Sequence, residues 1–110
     1  MIDMNTKEAI EIFSDLSNEE KADFLARLAF ELTIAARDAY EVGTGDLTNP
    51  QLIRSVNEIQ HRILSQLSAI LRKDEKRYPD EVFWQIVFGD SQALEKIVAR
   101  VAVNFSPALV

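Results

Sequence analysis

Apolar residues recur every three to four positions along most of the chain, which is the period of an amphipathic helix. A short stripe near the N-terminus consists of Ala9, Ile12, Phe13 and Leu16. The next stripe consists of Phe24, Leu25, Leu28, Leu32, Ala35, Ala36 and Ala39. A wider stripe consists of Leu52, Ile53, Val56, Ile59, Ile63, Leu64, Leu67, Ile70 and Leu71. The last consists of Leu94, Ile97, Val98, Val101 and Phe105. Each stripe predicts a helix.

Start and stop residues place the ends of the two long helices. Ser17 and Glu20 have the spacing of a capping box, so the first long helix is predicted to begin there. Gly43 is predicted to end it, because glycine readily adopts the left-handed conformation that closes a helix. The run Thr48-Asn49-Pro50 predicts the next helix start. Each helix would be about 24 residues and about 36 Å long, and the short loop between them predicts an antiparallel hairpin.

The segment Val82–Phe88 is rich in β-branched and aromatic residues, which favours a strand. The chain offers no second strand to pair with it. Pro79 fits the first position of a helix, acidic residues follow it, and Gly89 stands after the end. These flanks predict a short helix. Asp90 is predicted to cap a last helix that stops at Ser106-Pro107.

Composition agrees with one folded domain over residues 1–110. The chain is 47% hydrophobic and 27% charged with three glycines, which is unlike a disordered or low-complexity chain. It has no cysteine, which excludes a disulfide scaffold and a thiol nucleophile. The predicted fold is an all-α bundle built on two long antiparallel helices, with a short N-terminal helix and two shorter C-terminal helices packed across them.

Charge is distributed unevenly along the chain. There are 12 basic and 18 acidic residues, which gives a net charge of −6. Residues 1–49 hold four basic against eleven acidic residues, a net of −7, and residues 50–110 hold eight against seven, a net of +1. An acidic chain is not expected to bind nucleic acid broadly. Nucleic-acid binding remains an alternative through Arg54, Arg62 and the basic tip of Arg72, Lys73, Lys76 and Arg77.

The segment Val82–Phe88 also supplies the strongest candidate for a partner surface. As a helix it has Gln85 as its one polar side chain, and a helix that is apolar all round is either buried or covered by a partner. Both interpretations stay open. Phe30 and Ile34 fall on the charged side of their helix and suit a partner as well. The candidate interface therefore consists of Tyr78, Phe83, Trp84, Val87, Phe88, Phe30 and Ile34.

Two short motifs resemble metal-binding patterns. Glu58 and His61 have the Glu-x-x-His spacing of ferritin-like di-iron proteins, but they lie opposite the apolar face and the chain has no second histidine. The acidic run Glu19-Glu20-Lys21-Ala22-Asp23 resembles the cluster with which all-α nucleoside triphosphate pyrophosphatases hold Mg²⁺. That family expects a second acidic pair on the following helix, whereas Asp38 and Glu41 stand on the same helix. A Mg²⁺- or Mn²⁺-dependent enzyme of that type is the second alternative.

The function expected from the sequence is non-enzymatic. We expect a small bacterial-type interaction or regulatory protein in the cytoplasm, acting as a homodimer or with another protein, without a metal or a cofactor. No apolar stretch approaches the roughly 18–20 residues that span a bilayer, so no membrane association is expected. A basic start followed by an apolar run is also missing, so no export signal is expected.

Overall fold

The structure is a computed structural model that describes residues 6–42, 50–73, 75–88 and 93–105. Side chains are described for residues 6–37, 56–73, 75–88 and 94–105. These parts of the chain form five helices and no strand, which confirms the all-α prediction. The helices are α1 (Thr6–Asp15), α2 (Asn18–Val42), α3 (Pro50–Arg72), α4 (Asp80–Phe88) and α5 (Ala93–Val103).

The capping box at the start of α2 is present as predicted. The Ser17 Oγ accepts a hydrogen bond from the backbone N–H of Glu20 at 3.2 Å. The Glu20 Oε1 accepts in return from the backbone N–H of Ser17 at 3.4 Å. These bonds satisfy amide groups that no helical carbonyl reaches, so α2 begins directly after α1. The predicted signals at Gly43, Thr48 and Asn49 lie outside the described residues.

The start of α4 differs by one residue from the prediction. The Pro79 carbonyl accepts the first helical hydrogen bond, from the Phe83 N–H at 2.9 Å, so Pro79 precedes the first helical residue, Asp80. The helix itself covers the whole apolar segment, as predicted. At the end of α3, Lys73 adopts a left-handed backbone with φ of 53°. The predicted signals at Gly89, Asp90, Ser106 and Pro107 lie outside the described residues.

Polar contacts indicate that α2 and α3 run in opposite directions. On α3, the Gln60 Nε2 donates to the Ala29 carbonyl of α2 at 2.9 Å. Further along α3, Gln66 is hydrogen-bonded to the backbone of Tyr78. Asp80, two residues after Tyr78, accepts a hydrogen bond from Lys21 near the start of α2. The later part of α3 thus lies near the earlier part of α2. The molecule measures 38 × 34 × 20 Å, so its longest dimension is close to the roughly 37 Å expected of α2.

A cluster of aromatic rings around Trp84 joins α4 to α1 and α2. The Trp84 ring meets Phe13 of α1 edge-on at 5.1 Å and Phe24 of α2 at 6.0 Å between centroids. It also contacts Phe83 at 4.9 Å and stacks on Phe88 at 5.5 Å. Edge-on and offset contacts of this kind are favourable beyond the area they bury. The rings continue into a single core that includes the buried residues of α5, which are Leu94, Ile97, Val98, Val101 and Ala102.

An ion pair lies beside this aromatic cluster and connects the first turns of α2 and α4. The Lys21 Nζ is 2.9 Å from the Asp80 Oδ2, and the two side chains are 10% and 17% exposed. The same Nζ lies 5.6 Å from the centroid of the Phe13 ring. Arg77 donates to the Asn18 side chain at 3.1 Å and approaches the Asp80 Oδ1 at 3.6 Å. These contacts hold α4 against the start of α2.

We predict that Trp84→Ala removes much of the stability of the fold. Truncating a buried tryptophan leaves a cavity and typically costs about 3–5 kcal/mol of unfolding free energy. Urea unfolding followed by far-UV circular dichroism measures the loss, since the variant has no tryptophan left to fluoresce. Gln85→Ala on the exposed side of α4 is the control, with an expected change within about 0.5 kcal/mol. A similar loss in both variants would contradict the packing described for Trp84.

We also predict that Lys21→Met destabilises the protein by about 1–3 kcal/mol, because it leaves the mostly buried Asp80 carboxylate without its lysine. The matched control is Asp23→Asn, which breaks a 3.5 Å pair with Arg27 whose side chains are both 55% exposed. An exposed pair of this kind contributes within about 0.5 kcal/mol. A double-mutant cycle with Asp80→Asn should give a coupling above about 1 kcal/mol, and additive changes would show that the pair contributes nothing.

Candidate interaction surface

The inward side of α4 belongs to the core of the single chain. Phe83, Trp84 and Val87 are 2%, 1% and 3% exposed. These three residues of the candidate interface are buried within the single chain, as the core interpretation of the segment expects. Phe88 is half-buried and packs against the same core.

The outward side of α4 carries an exposed apolar stripe. Val82 and Ile86, one turn apart on α4, are 40% and 36% exposed, and Tyr78, two residues before the helix begins, is 50% exposed. We call these three residues the α4 stripe. Val82 and Ile86 were not part of the candidate interface. Their exposure follows once Phe83 and Val87 face inward, because neighbouring residues on a helix are turned by about 100°.

The position of Tyr78 is fixed by a buried glutamine of α3. The Gln66 Nε2 donates to the Tyr78 carbonyl at 2.8 Å, and the Gln66 Oε1 accepts from the Tyr78 N–H at 3.1 Å. Gln66 is itself buried, so this amide satisfies both of its polar atoms within the chain. The α4 stripe thus starts from a backbone position that is anchored to α3.

A groove of about 420 Å³ separates the α4 stripe from α3. Four basic or imidazole side chains lie along it, and none of its described lining residues is acidic. The lining residues are His61, Arg62, Ser65, Gln66, Ser68, Ala69, Arg72, Lys76, Tyr78, Phe83 and Ile86. Arg62 is paired with Glu58 at 3.1 Å. Arg72 and Lys76 are the other two charged residues of the described lining.

Phe30 and Ile34 lie at a different place in the fold. Phe30 is 65% exposed, and Ile34 is half-buried. Phe30 borders a second cavity of about 430 Å³ between α2 and α5, together with Ala26, Arg27, Glu31, Arg100, Val101 and Asn104. The candidate interface is therefore divided between two parts of the fold, and the charges around Phe30 are of both signs.

The residues of the basic tip have different surroundings in the fold. Arg77 turns toward Asn18 and Asp80, so its charge is partly compensated within the chain. Arg72 and Lys76 line the groove, whereas Lys73 is exposed at the end of α3. The side chain of Arg54 lies outside the described residues.

The acidic residues and the histidine of the two metal-like motifs are exposed where the structure describes their side chains. Glu20 is engaged in the capping box, and Glu58 is paired with Arg62. Glu19, Asp23 and His61 are exposed, and the side chains of Asp38 and Glu41 lie outside the described residues. Within the described part of the chain, no three histidine, aspartate or glutamate side chains come close enough together to hold a metal ion.

Comparisons with protein-family models, with curated proteins and with solved structures find no match to this chain. Among the described helices, none combines the length and apolar character that a membrane crossing requires. The geometry of the chain's own residues is therefore what indicates a function.

Proposed function

We propose that this chain is a non-enzymatic interaction protein that acts in the bacterial cytoplasm as a homodimer, with the α4 stripe at the centre of the interface. One observation carries the proposal. A short helix whose inward side is locked into the aromatic core presents Val82 and Ile86 on its outward side, and Tyr78 is exposed just before the helix begins. Three apolar side chains at one rigid site suit the centre of a protein interface.

The α4 stripe is well prepared for binding because little order has to be gained on association. Trp84 fixes the rotation of α4 about its axis, and Gln66 fixes the backbone of Tyr78. A preorganised surface loses less conformational entropy when a partner docks. Tyr78 adds an aromatic ring with a polar tip, which is a side chain enriched in interfaces.

Charge around the α4 stripe favours a second copy of the chain as the partner. On one flank of α4, the groove along α3 is basic through Arg72 and Lys76. Trp84 contacts α1, whose exposed residues include Lys7, Glu11 and Asp15, with an excess of acidic side chains. In the proposed dimer, a two-fold axis parallel to α4 would bring the basic groove of each copy toward α1 of the other. Such an interface is self-complementary, as two-fold symmetry requires.

We predict a mass of about twice the 12.5 kDa chain in sedimentation equilibrium at micromolar concentration. Val82→Glu and Val82→Arg should each weaken the dimer at least about tenfold, because both place a charge at the centre of an apolar contact. The matched control is Lys96→Glu, a charge reversal at an exposed position of α5, which should leave the mass unchanged. High salt should also weaken the dimer, since its flanks attract each other by charge.

A single-chain mass throughout the micromolar range would overturn the dimer. Dissociation by Lys96→Glu as strongly as by the Val82 variants would place the contact elsewhere on the molecule. Far-UV circular dichroism and thermal unfolding of each variant establish that a change in mass comes from the surface and not from loss of the fold.

A further inference from the structure

Three large apolar side chains are exposed on the two long helices, outside the α4 stripe. Phe30 of α2 is 65% exposed, and Leu64 and Leu71 of α3 are 49% and 57% exposed. Each of them comes directly after a buried residue of its own helix, so a rotation of about 100° takes it out of the core. None of the three belongs to the α4 stripe, so the proposed dimer does not account for them.

The contact made by Gln60 shows that these side chains share one face of the α2–α3 pair. Gln60 donates to the Ala29 carbonyl at 2.9 Å, which marks the side on which the two helices meet. Counted from this contact, the buried leucines and isoleucines turn toward the core, and Phe30, Leu64 and Leu71 turn the opposite way. Because the two helices run in opposite directions, the same sense of rotation places all three on one side. We call the side that carries these three residues the hairpin face.

We propose that the hairpin face binds the hairpin face of a second copy, in a contact that is separate from the α4 stripe and does not depend on it. The two-fold axis runs parallel to α2 and α3, so α2 of each copy lies across from α3 of the other. Every helix then has an antiparallel neighbour across the contact. Gln60 is level with Ala29, so Leu64 lies within about one turn of Phe30 along the helix axes. Phe30 therefore meets Leu64 of the partner subunit.

The size and polarity of the hairpin face suit such a contact. Residues 18–37 of α2 extend over about 30 Å, and packed helices lie about 10 Å apart, so the face covers roughly 20 × 30 Å, or roughly 600 Å². This is close to the roughly 800 Å² per partner that a specific interface buries. The described residues near its centre are neutral, namely Ala26, Thr33, Gln60 and Ser68. A neutral centre with apolar anchors is typical of the middle of an interface.

Charges at one end of the hairpin face favour a second copy as the partner. Glu19 in the first turn of α2 and Arg72 in the last turn of α3 are both exposed. The bond from Arg77 to the Asn18 side chain shows that these two ends of the helices lie together. The proposed axis sets Arg72 across from Glu19 of the partner subunit, so charges of opposite sign alternate around the contact. A face that carries both signs in this way is complementary to itself.

Sedimentation equilibrium of the Val82→Glu chain tests the hairpin face without the α4 stripe. We expect its mass to rise reversibly toward twice the single-chain mass between about 10 µM and 1 mM. Adding Leu64→Glu or Phe30→Glu should weaken this association at least about tenfold, because each places a charge at the centre of an apolar contact. The matched control is Glu11→Lys, a charge reversal at an exposed position of α1, which should leave the association unchanged. Thermal unfolding of each variant establishes that the fold is retained.

Charge reversal tests the orientation of the two copies. In the Val82→Glu chain, Arg72→Glu should weaken the association about two- to fivefold, as expected for exposed ion pairs. Adding Glu19→Arg to the same chain should restore it, because the signs are then exchanged on both sides. Equal weakening by both substitutions together, without restoration, would overturn the proposed orientation.

Cysteine crosslinking tests the pairing of α2 with α3 directly, since the chain has no cysteine of its own. Ala26→Cys and Ser68→Cys are introduced into separate Val82→Glu chains, so that Phe30 and Leu64 stay in place. In a mixture, a short bismaleimide should join the two kinds of chain at least about fivefold faster than either kind to itself, because the contact raises the effective concentration of one cysteine near the other. Faster joining of Ala26→Cys chains to each other would set α2 against α2 and overturn the proposed pairing.

These measurements let the hairpin face and the α4 stripe fail separately. A single-chain mass for Val82→Glu up to about 1 mM would overturn the contact through the hairpin face and leave the α4 stripe untouched. Equal weakening by Glu11→Lys and Leu64→Glu would also overturn it. Loss of the wild-type dimer through Leu64→Glu, with no loss through Val82→Glu, would support the hairpin face and overturn the α4 stripe as the centre of the dimer.

Discussion

The burial of one indole ring is the constraint on which the rest of this fold depends. Trp84 meets Phe13 of α1 and Phe24 of α2 edge-on, so α4 has to lie against both helices with one fixed side inward. Phe83 and Val87 then join the core because they are on the same side of the helix. Val82 and Ile86 are left outward by the same rotation. The surface of α4 is thus a consequence of the way its interior is packed.

Two polar contacts hold the start of α4 in addition to the aromatic cluster. Lys21 holds Asp80 from α2, and Gln66 holds the backbone of Tyr78 from α3. Both contacts are largely removed from water, so breaking either one leaves a buried polar group unsatisfied. Their position at the same end of α4 explains how a nine-residue helix keeps one orientation between its neighbours.

The sequence predicted the elements of this fold better than their rotation. Capping at Ser17 and the periodic stripes of α2 and α3 are local features, and local features define where helices begin and which face is apolar. The orientation of α4 was not predictable in the same way, because a segment with Gln85 as its one polar residue has no clear polar side.

Two polar residues within apolar stripes did indicate contacts between different elements of the fold. Lys21 stands one turn before Leu25, and Gln66 stands between Ile63 and Ile70, so each had to find a partner on another element.

The net charge of the chain is a poor guide to the potential inside its groove. Electrostatic interactions between exposed charges fall off over about 8 Å at physiological ionic strength, whereas the molecule measures 38 × 34 × 20 Å. Acidic side chains on distant faces of the bundle are therefore screened from the groove. The nearby charges decide the local potential, and among the described lining residues these are Arg62, Arg72 and Lys76. Arg62 is paired with Glu58, and Arg77 lies 3.6 Å from the Asp80 Oδ1, so part of the positive charge at this end of α3 is compensated within the chain.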